Sequence, residues 1–521
     1  MKKFFLIAIL LLTFNNLFSQ DVEEPDHFEQ INAKLIKNVE MPNKLAIFEK
    51  VADNYIAAYF GDNDMFVFEE FDKDLNHKVI SSLKINSKEY LNNYYFFGDK
   101  VLLIFDGRKN GVYAKSILYD YKTGNVINSE LVYALVDPSE FDPKSWNESI
   151  PYQIKDNKDV ILLKDFNKNS FNLRKLQATK TFHNSKTNSI LMYNFIESEN
   201  GNLDVYYSII DKNGKLIFSE RVTLQERAFD KNRITNGIYG ELNEDDKPIF
   251  YVDWANDNKR FVSAFNKVDN KFLAITTDLP VEINGETDFA IKSLHKIENT
   301  NYIIGLINEN KDDFSATYGI VQLNYSANER KLNLNIVIWT EEEIEKMTND
   351  NKLSASMISD IIYKNDEYFL ILEANEVYNV YEQNMYIPVN ELRDGLILKL
   401  DKNLKHLWSH YIKNRDIKRI VSCDNKSKVY NEPKFRYALK FDDKNIDSGK
   451  PLSFLYHDNS DEEIFGLREL NIENGNLMKD SKLFESDEML FLYPSRVYKD
   501  NNNIIMQVSN DCDSHIVKFT F

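Results

Sequence analysis

Leu203–Val222, LDVYYSIIDKNGKLIFSERV, is the stretch that decides the fold. Val205, Tyr207 and Ile209 alternate with Asp204, Tyr206 and Ser208, the period of two that a pleated strand imposes on its side chains. Asn213-Gly214 then supplies a pair suited to positive φ, as a tight two-residue turn requires, and Leu216 and Phe218 resume the alternation. The stretch therefore reads as one antiparallel hairpin, and weaker copies of it recur along the chain.

The copies follow one grammar: a short continuous apolar strand, buried on both sides, and then an alternating hairpin. Val101–Phe105 precedes a hairpin over Ala114–Val132, and Ser189–Ile196 precedes the hairpin quoted above. Ile249–Trp254, Tyr302–Ile307, Tyr368–Leu372 and Pro451–Tyr456 precede turns at Asn266–Asn270, Asn324–Glu329, Asp401–Leu404 and Asn471–Gly475. A first unit spans Lys44–Leu83 and turns at Asp72–Asn76. Successive anchors Asp211, Asn266 and Asn324 lie 55 and 58 residues apart, the spacing of four-stranded propeller blades lengthened by loops. Near the end, Ser495–Tyr498, Ile504–Val508 and Ile516–Phe521 match three strands of a unit. The fourth strand is expected from Phe28–Val39, which would interlock the two ends and leave no open edge. Seven clean turns plus this composite unit predict eight blades, within a range of seven to nine. Ile150–Lys180 contains the apolar run Asp159–Phe166 but no clean turn, and reads either as a degenerate unit or as an insertion.

In this pattern the sequence resembles the β-propeller repeat class, WD40-like proteins included, over most of residues 28–521. The resemblance implies a single closed all-β ring of four-stranded antiparallel blades, and it carries no family's functional residues with it. Asp253-Trp254 and Asp106-Gly107 are lone dipeptides, and the four Trp form no recurring motif of the quinoprotein-dehydrogenase kind. An outer-membrane barrel is the rival architecture. It needs strands of about 9–11 residues with one lipid-facing side, whereas the strands here are short and apolar on both sides.

Residues 1–19 read as a signal peptide: Lys2-Lys3, the apolar run Phe4–Leu12, and a cut near Ser19–Gln20. No Cys follows the run, and no later segment is apolar for long enough to span a bilayer as a helix. The expected protein is thus exported, periplasmic or extracellular, with residues 20–521 as the propeller domain. With 16 Gly and 11 Pro among 521 residues, low-complexity and disordered classes are excluded. A net charge of −18 excludes nucleic acid as a partner, because phosphate neutralisation needs clustered Lys and Arg. Cys423 and Cys512 form a candidate disulfide in an oxidising compartment, against two separate thiols.

HExxH, CxxC and GxSxG motifs are absent. His406 and His410, four apart on one strand, would share a solvent-facing side with Cα atoms about 13 Å apart, too far for one metal. Asp165-x-Asn167-x-Asn169 lacks the Gly and Glu of a calcium loop, at Ser170 and Leu176. The acidic turns Asp458–Glu463 and Asp442–Asp447 are where calcium would bind if any were held, and no metal or other cofactor is expected. The basic run Lys413–Arg419 reads as a solvated loop.

Two functions fit. One is a non-catalytic binding or scaffold propeller for a protein or glycan. The other is a carbohydrate-active hydrolase or lyase with Asp/Glu in the central channel, recognisable by two or three convergent carboxylates beside aromatic platforms. Connections after the second and fourth strands emerge on one face of a propeller, and the long ones here nearly all belong to it. They are Ala374–Asp394, Thr340–Asn351 with a capping box at Thr340 and Glu343, and Ile412–Lys434. Tyr378, Tyr381 and Tyr386 in the first are the candidate binding residues, since exposed tyrosines give contact area at low entropic cost.

Overall fold

Eight separate sheets form the fold, all antiparallel apart from one short addition. This computed structural model describes residues 34–43, 45–86, 89–108, 111–136, 161–162, 179–197, 203–225, 234–256, 259–268, 271–279, 289–297, 300–309, 316–326, 329–348, 353, 356–382, 385–412, 417–420, 440–441, 450–458, 463–486, 491–500, 503–509 and 514–520. Blades 1 to 7 occupy 45–84, 89–136, 180–224, 234–278, 289–338, 356–412 and 440–486. Blade 8 takes Phe491–Asp500, Asn503–Ser509 and Ser514–Thr520, with Lys34–Met41 as its outer strand. Leu35 pairs with Phe519 and Val39 with Ile516, so segments from the two ends of the chain share one sheet. The separate sheets exclude a single transmembrane barrel, and no described helix is long and apolar enough to cross a membrane.

The second strand of each blade is apolar on both sides because it feeds two seams at once. In blade 2, Val101, Leu103 and Phe105 pack toward blade 1, while Leu102 and Ile104 pack toward blade 3. Tyr368, Leu370 and Leu372 of blade 6 likewise face blade 5, and Phe369 and Ile371 face blade 7. Eight apolar clusters result among the described residues, one between each pair of neighbouring blades. The last joins Ile505 and Ile516 of blade 8 to Phe48, Tyr55 and Leu75 of blade 1 and closes the ring. First strands of adjacent blades touch one another, which places them innermost, around the axis. The molecule is an eight-bladed β-propeller.

The hairpin that decides the fold is present, with one correction to its turn. Only Gly214 has positive φ, at 70°, and Ile209 pairs with Phe218 while Ile210 pairs with Leu216, across a bulge. The loop is five residues long rather than two. Asp211 Oδ1 accepts from the amides of Asn213 and Lys215 at 2.8 and 2.9 Å, and Gly214 N–H donates to Asp211 C=O at 2.9 Å. A carboxylate that holds two amides needs a single left-handed residue to turn the chain.

Of the ambiguous run at 159–166, only Ile161–Leu162 is described, and it forms no blade of its own. Ile161–Leu162 lies parallel to Leu135–Val136 and adds a fifth strand to blade 2.

Candidate functional site

Two faces follow from the strand order. Turns after first and third strands lie on one face, the turn face, and connections after second and fourth strands lie on the other. On this second face, polar residues that end the apolar run of the second strand hold the entry to the next blade. Asp106 Oδ2 accepts from Thr179 N–H at 2.9 Å and from Asn92 Nδ2 at 2.7 Å. Asp253 Oδ2 accepts from Ile291 N–H at 2.9 Å. Asn308 acts partly through a hydroxyl: Thr317 Oγ1 donates to its Oδ1 at 3.1 Å and accepts from Ser356 N–H at 2.8 Å. Where blade 8 meets blade 1, Ser514 Oγ accepts both from Gln507 Nε2 at 3.3 Å and from Leu45 N–H at 3.1 Å. Sequence reading missed these clamps, although a polar residue closing each apolar run (VLLIFD, IFYVD, YIIGLIN, IIMQ) was a usable signal.

Among the described residues, the same face also carries the largest departure from blade geometry. Ala374–Asp394 is no loop. The second and third strands of blade 6 run on as Glu367–Glu382 and Met385–Asp401, and their ladder continues from Asn375↔Leu392 to Glu382↔Met385. Eight residues at 3.3 Å each carry this arm about 26 Å beyond the blade. Val, Tyr and Ile supply the β-branched and aromatic residues that favour it. Tyr381 is the register partner of Tyr386, and Tyr378 that of Val389, at the opposite parity of the strand. The three candidate tyrosines thus belong to one hairpin but not to one row of it.

At the arm's base Glu373 and Ala374 are buried, and Tyr411 Oη donates to Asp394 across the third and fourth strands. The basic run also differs from expectation. Ile417–Ile420 forms a third strand on the arm, with Ile417 opposite Leu392 and Ile420 opposite Val389.

The other long connection on this face turns inward. Glu341–Thr348 is a helix with the expected capping box: Glu343 N–H donates to Thr340 Oγ1 at 3.2 Å, and Thr340 N–H donates to Glu343 Oε2 at 2.8 Å. Trp339 before the cap and Ile344 in the first turns are both buried in the seam between blades 5 and 6, as a hydrophobic staple is. The helix packs on His406–Ile412 and serves as filler.

His406 and His410 do not share a side. A bulge at Leu407, between Leu400↔His406 and Lys399↔Trp408, reverses the parity of the strand. His406 lies toward the helix and feels Glu343, whereas His410 packs on Phe454 of blade 7 at 6.2 Å. Neither is a plain solvent-facing residue, and burial lowers the pKa of both.

Around the axis, the first strands tie to one another through their side chains. Tyr498 Oη donates to Phe48 C=O at 3.1 Å, Asn93 Nδ2 to Thr181 Oγ1 at 2.7 Å, and Lys180 Nζ to Ile238 C=O at 2.8 Å. Glu241 pairs with Lys296 at 2.8 Å and accepts from Tyr251 at 2.9 Å. Glu89 pairs with Lys115 and accepts from Tyr113 at 3.1 Å. Burial pushes Lys180 down to about 8, Tyr95 up to about 12 and His295 down to about 4. Glu89 and Glu241 are each held by a cation and a tyrosine, in the manner of structural ion pairs. Among the described residues no group of three His, Cys, Asp or Glu could hold a metal.

Cys423, Cys512, the segment 165–169, most of both acidic turns and residues 1–19 lie outside the described residues.

No family model and no curated protein matches this sequence. Solved structures with a similar course include the WD40 domain of SCAP from fission yeast, at 7% identity, covering 95% of this chain and 98% of that one, with a TM-score of 0.36. A europium-containing methanol dehydrogenase is similar at 8% identity over 95% of each chain, with a TM-score of 0.39. The polysaccharide lyase Uly1 is similar at 9% identity over 83% of this chain and 90% of that one, with a TM-score of 0.35.

Proposed function

We propose that the chain is an exported, non-catalytic binding or scaffold propeller that holds a protein or glycan partner on the arm of blade 6. The observation that carries this reading is the ladder from Asn375↔Leu392 to Glu382↔Met385. It extends about 26 Å past the blade, where its backbone bonds add nothing to any seam. A rigid ring bearing one extended arm suits display better than turnover. The ion-paired Glu89 and Glu241 support the non-catalytic part, because a carboxylate held by Lys and Tyr is a poor general acid or base.

The test is excision of 376–391 with a two-residue turn in its place, leaving Asp394–Tyr411 and the seams intact. The variant should melt as the parent does and lose its partner in paired pull-downs on glycan and protein panels. Retention of the partner by a folded variant would remove the arm from the function, and hydrolysis of a captured polysaccharide would reinstate the enzyme.

A further inference from the structure

The arm is a sheet of three strands: 375–382, 385–392 and 417–420. Its outer strands are the first and the third, and among the described residues nothing pairs with the far edge of Ile417–Ile420. An edge strand presents a row of backbone N–H and C=O groups spaced to accept one more strand. The two edges of this arm differ in charge. The 375–382 edge carries Glu376 and Glu382, whereas the 417–420 edge carries Lys418, the register partner of Glu391, and Arg419, the register partner of Asn390. Four basic residues against one acidic residue, Asp416, within the seven positions 413–419 stand out in a chain of net charge −18.

We infer that the Ile417–Ile420 edge is a docking strand for an extended acidic peptide segment, which adds to the arm backbone to backbone. This rests on the reading of the arm as the binding element. The charge distribution selects both the side and the ligand. An acidic segment is repelled by most of this surface and by the glutamate-bearing edge, so the basic edge is where its encounter is favoured. Register then comes from the ladder, and alternate side chains of the added strand face the two sides of the arm.

The experiment uses the full chain and a fluorescent peptide of alternating Glu and Val, with two companions. One replaces Glu by Lys, and the other is the acidic peptide N-methylated on alternate amides. The acidic peptide should bind, and binding should weaken when salt rises from about 50 to about 200 mM. Lys418→Glu with Arg419→Glu should weaken it by at least about tenfold. Lys418→Gln with Arg419→Gln should show the same direction if charge reversal disturbs the arm. The Lys peptide should not bind, and N-methylation should abolish binding. Equal binding of the N-methylated peptide overturns strand addition, because charge alone would then suffice. Equal binding to the reversed variant, or by the Lys peptide, overturns the assignment of the edge. Failure of the acidic peptide to bind at all overturns this inference while leaving the arm's role to the excision test, which reads loss of the partner instead.

Discussion

On the turn face, 72–76, 211–215 and 401–405 are three copies of one five-residue loop, and 243–247 follows the same geometry between a first and a second strand. In each, the side-chain oxygen of the first residue (Asp72, Asp211, Asn243, Asp401) accepts two amides at 2.8 to 2.9 Å, and the fourth residue has positive φ. These turns lock onto the preceding blade. Ser116 Oγ donates to Gly214 C=O at 2.7 Å, Lys518 Nζ to Lys73 C=O at 2.7 Å, and Asn184 Nδ2 to Asn243 C=O at 3.1 Å. In the related turn at 471–476, Trp408 Nε1 donates to Ile472 C=O at 3.0 Å. The opposite face holds clamps of the same quality at its seams, yet it also carries the arm, whose described ladder joins 375–382, 385–392 and 417–420 to one another. The difference separates what holds the ring from what projects from it. Parts that bond across a seam repeat from blade to blade, and among the described residues the projecting ladder occurs once.

The comparison breaks most visibly at Gly475. Its φ is +71°, and a Cβ there would lie 2.5 Å from the ring of buried Trp408. Gly475→Ala should therefore cost about 2–4 kcal/mol in denaturant unfolding, from left-handed strain together with overpacking. A loss below about 0.5 kcal/mol would mean that this turn does not lock its seam.

Acid supplies the next largest effect. His295 lies on the first strand of blade 5, with its pKa pushed down to about 4 by burial. The unfolded chain binds its proton near pH 6.5 and the folded chain does not, so stability is full above that pH. It should fall by about 1.4 kcal/mol per pH unit until about pH 4. His295→Gln should flatten that part of the stability-against-pH curve, and an unchanged slope would exclude this histidine as its source.

Leu404 sharpens the comparison further. It takes positive φ, at 65°, where the equivalent Gly214 needs none of the strain, and its side chain is fully buried between blades 5 and 6. Leu404→Gly relieves about 1–2 kcal/mol of strain but gives up a buried Leu, for a net loss of about 1–3 kcal/mol. A gain in melting temperature would show that strain outweighs the seam contact. Excision of 376–391 should have the smallest effect on stability, within about 0.5 kcal/mol, because none of the described seam residues lies within it.

How far the chain could be read in advance divides along the same line. Alternation in LDVYYSII and in the other hairpins made strand positions and blade count legible, although Leu203–Ile210 is buried along its whole length, with Val205 and Tyr207 in one seam and Tyr206 and Ile210 in the other. The interlocked blade was also legible, because Ser495–Tyr498, Ile504–Val508 and Ile516–Phe521 read as three strands of a unit and Phe28–Val39 as the fourth, which the structure supplies as Lys34–Met41. His406 and His410 misled because a single bulged residue, Leu407, reverses parity without any mark in composition. The tyrosine-rich stretch looked like a loop because strands are expected to end with their blade. Nothing local says that 375–382 and 385–392 go on pairing with each other, or that the basic run joins them.

The sequence by itself determined the repeat, the two-sided apolar strands and the positions of the turns, since each depends on residues a few positions apart. The tertiary structure alone decided which side chains meet across seams, such as Asp106 with Thr179 or Trp408 with Ile472, and which edge of the arm is unpaired among the described residues. Those contacts join residues tens of positions apart, and their geometry is set by the closure of the ring as a whole.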